Sequence, residues 1–154
     1  MKIGDKAPAF TLPASTGRNV SLKELKGSWV VLYFYPKDST SGCTLEAQEF
    51  TGLKKDFDAL NAVVLGVSPD SVRSHCSFQE KYNLDVLLLS DTEHSTLQAY
   101  GAWQLKKMYG REYYGVVRST VLIDPKGTIT AIWPKVKARG HAAEVLEDLR
   151  SRTK

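Results

Sequence analysis

Two apolar stretches constrain this chain more than anything else in it: Trp29 to Tyr35 (WVVLYFY) and Ala62 to Val67 (AVVLGV). Both are continuous, short and rich in β-branched or aromatic residues. Runs of this kind form strands covered on both faces, which requires a sheet with helices on either side of it. Pro36 stops the first run, and Lys37 to Gly42 reads as a turn-rich loop. Beyond it, Leu45, Phe50, Leu53, Phe57 and Leu60 recur at spacings that suit one face of a single helix.

The remaining segments repeat this alternation. Ser68-Pro69-Asp70 carries a cap residue followed by proline, which predicts a helix running to about Tyr82. Val86 to Leu89 is a third strand, and Asp91 caps a helix reaching about Tyr100, with Gly101 at its end. Thr120 to Ile123 and Thr128 to Trp133 are strands joined by the turn Asp124-Pro125-Lys126-Gly127. A last helix covers about His141 to Arg150. Near the start, Ser21-Leu22-Lys23-Glu24 is a capping-box pattern that predicts a short helix ending near Gly27. Ala102 to Val117 shows no clean period and is long for a connection, so it is functional or packed by its own aromatics. This order predicts an α/β fold with a thioredoxin-like layout: a central mixed sheet flanked by helices, parallel at first and antiparallel in the closing hairpin.

The 154 residues fit one domain, residues 1–154, of ordinary globular composition. No apolar run approaches a membrane span or a secretory signal, so a cytoplasmic location is the default expectation. The net charge is +4 and the pI about 9.0. Basic residues are scattered among acidic ones, as in Lys54-Lys55-Asp56, so a mixed solvated surface is expected rather than nucleic-acid binding. No extended exposed apolar patch is evident, which favours a monomer.

Only two cysteines occur, Cys43 and Cys76, and no Cys-x-x-Cys pair. Neither a disulfide framework, a zinc knuckle nor a dithiol redox motif is supported. His75, His94 and His141 are too scattered for a metal signature. Cys43 is the informative thiol. It follows a buried strand and a tight loop and falls in the first turn of the next helix. Free amides and the partial positive charge of a helix N-terminus favour thiolate over thiol. Thr40, three residues earlier, places a hydroxyl where it can donate to and accept from a peroxide. Pro36 can fix the loop and restrict water. Plainer readings stay open: Thr40 or Ser41 as a helix cap, Pro36 as a strand breaker.

The segment Phe34 to Phe50, FYPKDSTSGCTLEAQEF, resembles the peroxiredoxin active-site pattern Pro-x-x-x-Thr/Ser-x-x-Cys. Its flanks resemble the bacterioferritin-comigratory-protein or peroxiredoxin Q group. Lys106 to Gly127, KKMYGREYYGVVRSTVLIDPKG, is similar to that group's Arg-Ser-Thr strand and Asp-Pro-x-Gly turn, and Gly4 to Phe10 matches its opening. The resemblance implies a thiol peroxidase with no cofactor. Cys43 would be the peroxidatic thiol, Thr40 its hydroxyl partner, Pro36 the shield, and Arg118 the guanidinium that reaches sulfur and peroxide. Glu46 would orient Arg118, or else face solvent. Many members of the group carry a resolving cysteine five positions on, but here that residue is Gln48. Cys76 is the one internal candidate, and an external resolving thiol is the rival. His75 beside it reads as a solvent-facing histidine. Thioredoxin or a similar dithiol would close the cycle on a hydroperoxide substrate. A peroxide-sensing thiol switch shares all these features.

Overall fold

A computed structural model describes residues 1–154. Its centre is a five-stranded mixed sheet in the order β5-β4-β3-β8-β9. The strands are β3 (Trp29–Phe34), β4 (Ala62–Ser68), β5 (Leu87–Ser90), β8 (Ser119–Ile123) and β9 (Ile129–Trp133). β3, β4 and β5 run parallel, while β8 is antiparallel to β3 and β9 to β8. Helices α1 (Ser41–Gly52), α2 (Lys54–Ala59), α3 (Val72–Tyr82), α4 (Ser95–Ala99) and α5 (His141–Arg152) complete the α/β architecture. Both long apolar runs are therefore strands, as their patterning requires. None of the helices is long and apolar enough to cross a membrane.

The sheet separates two cores, and β3 feeds both through its alternation. Val30, Leu32 and Phe34 enter one cluster with Leu65, Val67 and Leu89. Val31, Tyr33 and Tyr35 enter the other with Phe50, Leu88, Leu122 and Leu149. Burial of each such side chain contributes about 1.5–3 kcal/mol, so β3 is the mechanical centre of the molecule.

The elements differ from the sequence reading at several points. The helix expected from an Asp91 cap begins only at Ser95, with His94 as its left-handed N-cap residue, and the Asp91 carboxylate accepts from Leu97 N–H at 2.8 Å. The helix expected from Leu45 to Leu60 is two helices, interrupted at Leu53, whose φ and ψ are −104° and 7°. The helix expected from Ser68 begins instead at Val72. Ser68 ends β4 and its hydroxyl donates to Asp70 (2.7 Å), while Ser71 is the cap and accepts from Ser74 N–H. The Ser21 box opens only a 3₁₀ turn, Leu22–Leu25: Ser21 Oγ donates to the Glu24 side chain and accepts from no backbone N–H. Finally, Ala102 to Val117 contains a hairpin, β6 (Trp103–Met108) and β7 (Arg111–Val116), turned at Tyr109-Gly110 with positive φ at both residues. The N-terminal hairpin, β1 (Thr11–Pro13) with β2 (Asn19–Ser21), carried no signal that the sequence reading used.

The outer part of the β6–β7 hairpin stands away from the cores, and only its base joins one of them, through Val116 and Trp103. Leu105, Met108, Tyr113 and Tyr114 are exposed on it, and Tyr109 at its tip is 97 % exposed. The molecule therefore has an exposed apolar patch that the sequence did not suggest.

Gly66, in the middle of β4, lets Tyr33 lie flat across the sheet. A Cβ there would sit 2.7 Å from Tyr33 Cζ and 3.0 Å from Leu88 Cδ2, whereas one on Gly52 would meet nothing within 4 Å. Overpacking of this kind costs about 1–3 kcal/mol, and removing a helical glycine gains up to about 1 kcal/mol. Gly66→Ala is expected to lower the urea midpoint and Gly52→Ala to leave it unchanged or raise it. Equal midpoints for the two variants would refute this account of β4.

Candidate active site

The site assembles where two strand ends meet. β8 runs antiparallel to β3, and the register pairs Phe34 with Ser119. The end of β3 and the start of β8 thus lie side by side. The loop after β3 leads to Cys43 in the first turn of α1, and Arg118 immediately precedes β8.

Arg118 joins the two. Its Nη2 donates to Cys43 Sγ at 3.2 Å, and its Nη1 donates to Glu46 Oε1 at 2.6 Å. Glu46 lies one turn beyond Cys43 and is fully buried, not solvent-facing. Gly42 makes this approach possible: a Cβ on it would stand 3.1 Å from Arg118 Nη2. The sequence reading counted Gly42 only as the end of the loop before Cys43. Its signal was a costly helix residue placed next to the cysteine.

Cys43 is only 2 % exposed, deeper than its junction between loop and helix suggested. The Arg118 side chain is 17 % exposed and forms the open side of the site. A groove of about 590 Å³ reaches Arg118, lined in part by Leu105, Lys106, Met108, Tyr113 and Val117. The hairpin is therefore one wall of the groove that ends on Arg118. Lys106 on this wall is held below the ordinary lysine range by desolvation and by the charge of Arg118, with Cys43 acting in the opposite sense.

Thr40 and Pro36 flank the sulfur in sequence. Thr40 is the N-cap residue of α1, but its side chain makes no cap bond. Its hydroxyl donates to Lys37 carbonyl at 2.8 Å, so it offers lone pairs and not a proton to anything above the loop. Pro36 is half-buried at the bend ending β3.

Cys76 is exposed on α3, and its sulfur lies 3.2 Å from the Ser15 carbonyl. Both cysteines are free thiols with different neighbours, so the fold does not bring Cys43 and Cys76 together. His75 is not solvent-facing but fully buried, against Asp38 and the Leu89 carbonyl. His94 stacks on Trp103 and His141 bonds Thr120. No group of three or more His, Cys, Asp or Glu side chains is arranged to hold a metal ion.

The electrostatics centre on one cation between two acids. Burial alone would weaken the Arg118 charge, but Glu46 and Cys43 outweigh it and keep the guanidinium protonated. Burial raises the Glu46 carboxyl from 4.5 to about 7, against the pull of Arg118, and its Oε2 has no protein partner. The folded protein thus holds a proton on Glu46 between about pH 4.5 and 7, where the unfolded chain has lost it. The stability this contributes is complete below the unfolded value and is lost as pH rises through the folded one. From about pH 5 to 8, the wild type is expected to lose about 2 kcal/mol more unfolding free energy than Glu46→Gln. Urea titrations at both pH values measure this, and parallel pH slopes would refute it.

Comparison with known proteins agrees with this geometry. The model of the AhpC/TSA family matches residues 3–132. Peroxiredoxin Bcp of Bacillus subtilis is 49 % identical over 150 residues, covering 97 % of this chain and 96 % of that protein. A putative peroxiredoxin bcp of Coxiella burnetii is 49 % identical over 146 residues, covering 95 % and 97 %. Among solved structures, a mutant of Xylella fastidiosa PrxQ superposes with a TM-score of 0.95 at 40 % identity, covering 100 % and 98 %. The bacterioferritin comigratory protein of Xanthomonas campestris, solved in a study of its alkyl peroxide reduction, gives 0.90 at 41 %, covering 94 % and 92 %. With its thioredoxin-like sheet and an arginine-held thiol, this chain belongs to the AhpC/TSA family, among the peroxiredoxins of the bacterioferritin-comigratory-protein and Q group.

Proposed function

We propose that Cys43 is the peroxidatic nucleophile of a thiol-dependent peroxidase and that Arg118 is the group that makes it fast. The observation carrying this is the 3.2 Å contact from Arg118 Nη2 to the sulfur, with Nη1 fixed on buried Glu46. The Cys43 thiolate attacks the terminal peroxide oxygen. An S–O bond forms, the O–O bond breaks, and the departing hydroxide or alkoxide takes a proton to leave as water or alcohol. Cys43 becomes a sulfenic acid. A guanidinium is always charged and presents several fixed donors, so it can hold both the thiolate and the charge growing on the leaving oxygen. Thr40 supplies an acceptor to the peroxide proton from its free lone pairs, and Pro36 stiffens the loop beneath.

Magnitudes divide the two roles of Arg118. Moving any thiol from a pKa of about 8.5 to about 6 raises its thiolate fraction at pH 7 only about thirtyfold. Enzymes commonly supply a millionfold or more. Most of the acceleration must therefore come from polarising the O–O bond. The groove beside Arg118 is apolar along Leu105, Met108 and Val117 and cationic at Lys106. It suits organic hydroperoxides as well as hydrogen peroxide, in keeping with the alkyl peroxide reduction of the Xanthomonas protein.

The sulfenic acid then condenses with the Cys76 thiol, forming a Cys43–Cys76 disulfide and releasing water. Thioredoxin or a similar dithiol reduces this bond by thiolate attack and leaves as its own disulfide. A disulfide needs its Cα atoms within about 7 Å, so the opening turns of α1 and α3 must unwind locally. The exposure of Cys76 supports the rival in which an external thiol resolves Cys43. A chain with two cysteines and no disulfide framework suits a reducing compartment such as the cytoplasm. Cys43, Arg118 and Glu46 reach one another within a single fold, which supports the reading of one domain acting as a monomer.

Two measurements test these assignments. Arg118→Ala is expected to slow peroxide reduction by at least about a thousandfold at saturating thiolate, a barrier rise of about 4 kcal/mol. Stopped-flow rates well above the thiol pKa check this, and a wild-type rate there would restrict Arg118 to ionising the sulfur. Cys43→Ser should abolish turnover, whereas Cys76→Ser should keep the first turnover and lose thioredoxin-coupled cycling. Peptide mass spectrometry after one equivalent of peroxide should find the 43–76 linkage. An oxidised monomer without it would assign resolution to an external thiol.

A further inference from the structure

Asp38 lies in the loop between β3 and α1, and His75 lies in the opening turns of α3 beside Cys76. Both are buried, His75 completely. The Asp38 carboxylate accepts from Tyr35 hydroxyl at 2.6 Å and from Ser74 hydroxyl at 2.8 Å, and it meets His75 Nδ1 at 2.7 Å. His75 Nε2 donates to the Leu89 carbonyl at 2.9 Å. A carbonyl only accepts, so Nε2 carries a proton, and one further proton lies between Nδ1 and the carboxylate. The pair is neutral as a whole and nearly all its hydrogen-bonding capacity is used. The Asp38 N–H also donates to Asp70, just ahead of α3, at 2.8 Å. The loop before Cys43 and the start of the Cys76 helix are therefore held to one another, not merely packed on a common sheet.

We propose that the buried Asp38–His75 pair is a latch that makes opening of the loop before Cys43 and unwinding of the start of α3 a single event. These are positioning residues, since neither touches the reacting sulfur or oxygen. If the loop swings out alone, Asp38 deserts Ser74 and leaves His75 buried without its partner, a state more costly than the paired one. If α3 unwinds alone, the Asp38 carboxylate is stranded in the same way. Opening both exposes both groups to water, so the two motions favour each other. The consequence for the peroxidase cycle is that Cys43 and Cys76 become mobile together. This consequence rests on the resolving role given above to Cys76, whereas the coupling itself does not.

Hydrogen–deuterium exchange of the reduced full-length protein tests the coupling directly. Asp38→Ala removes the carboxylate that Tyr35, Ser74 and His75 share. It should speed exchange across 72–78, on the other element, on the order of tenfold. His75→Asn should speed exchange across 37–44 by a similar factor, and the double variant should match the singles rather than add to them. A merely structural role would loosen each variant's own segment only, and that result would overturn the proposal. Ser74→Ala removes one donor at the edge of the network and should loosen 37–44 by a smaller factor, which keeps the test decisive if either buried variant fails to fold. In parallel, the 43–76 linkage is mapped in the oxidised wild type. Coupled exchange without the linkage would refute the resolving role of Cys76 and leave the latch standing. The linkage without coupled exchange would do the reverse.

Discussion

A single guanidinium holds the site together. Arg118 donates at once to the sulfur of Cys43 and to the carboxylate of Glu46. Remove it, and two acids would share a nearly dry space with no cation between them. Buried charges persist only when paired and hydrogen-bonded. Glu46 shows how close the balance is, because even with Arg118 at 2.6 Å its carboxyl is raised to about 7. Desolvation therefore outweighs attraction at this pair. The same desolvation strengthens whatever Arg118 does to an incoming peroxide, since its field is little screened there.

The fold puts Arg118 in place by strand direction alone. A fourth parallel strand beside β3 would have carried its N-terminal end to the far edge of the sheet, a strand length away from Cys43. An antiparallel β8 starts where β3 ends, and the residue before it arrives at the mouth of α1. Gly42 then removes the one Cβ that would stand in the way. The mixed sheet is thus a functional requirement: parallel strands feed a helix N-terminus, and the antiparallel strand returns the cation to it.

Much of this was legible in the chain, for physical reasons that also mark where legibility ended. β3 and β4 read clearly because both their faces are buried and every position is apolar. The β6–β7 hairpin did not, because only Val116 and Trp103 at its base reach a core, and along the rest of it the alternation sorts no side chains into an interior. Its Tyr109-Gly110 turn was the available signal. Leu53 fits the helical spacing on either side of the break, so periodicity ran through it. Ser68 and Ser71 are both plausible caps, but Ser68 is taken up by β4 with its hydroxyl on Asp70, which leaves the cap to Ser71. Cys43, Thr40, Pro36 and Arg118 stood out through their motif. Asp38 and His75 did not, since a pair 37 residues apart has no local signature.

On the peroxidatic role proposed for Cys43, burial and turnover make opposite demands on this thiol. At 2 % exposure, Cys43 is placed for chemistry with a molecule as small as a peroxide and closed to anything as large as a protein dithiol. Each cycle therefore needs a closed state that is favoured and an open state that is reachable. A strongly apolar seal would meet the first demand and fail the second, because its loss grows with the area exposed. Polar links behave differently. Inside, they are strong and directional; once open, water replaces them at small net cost. The loop before Cys43 is fastened largely by such links: Thr40 to Lys37, Asp38 to Tyr35, Ser74 and His75, and the Asp38 amide to Asp70. A fastening of this chemistry holds firmly while shut and costs little once water has entered, which is what a buried nucleophile that must later meet another thiol requires.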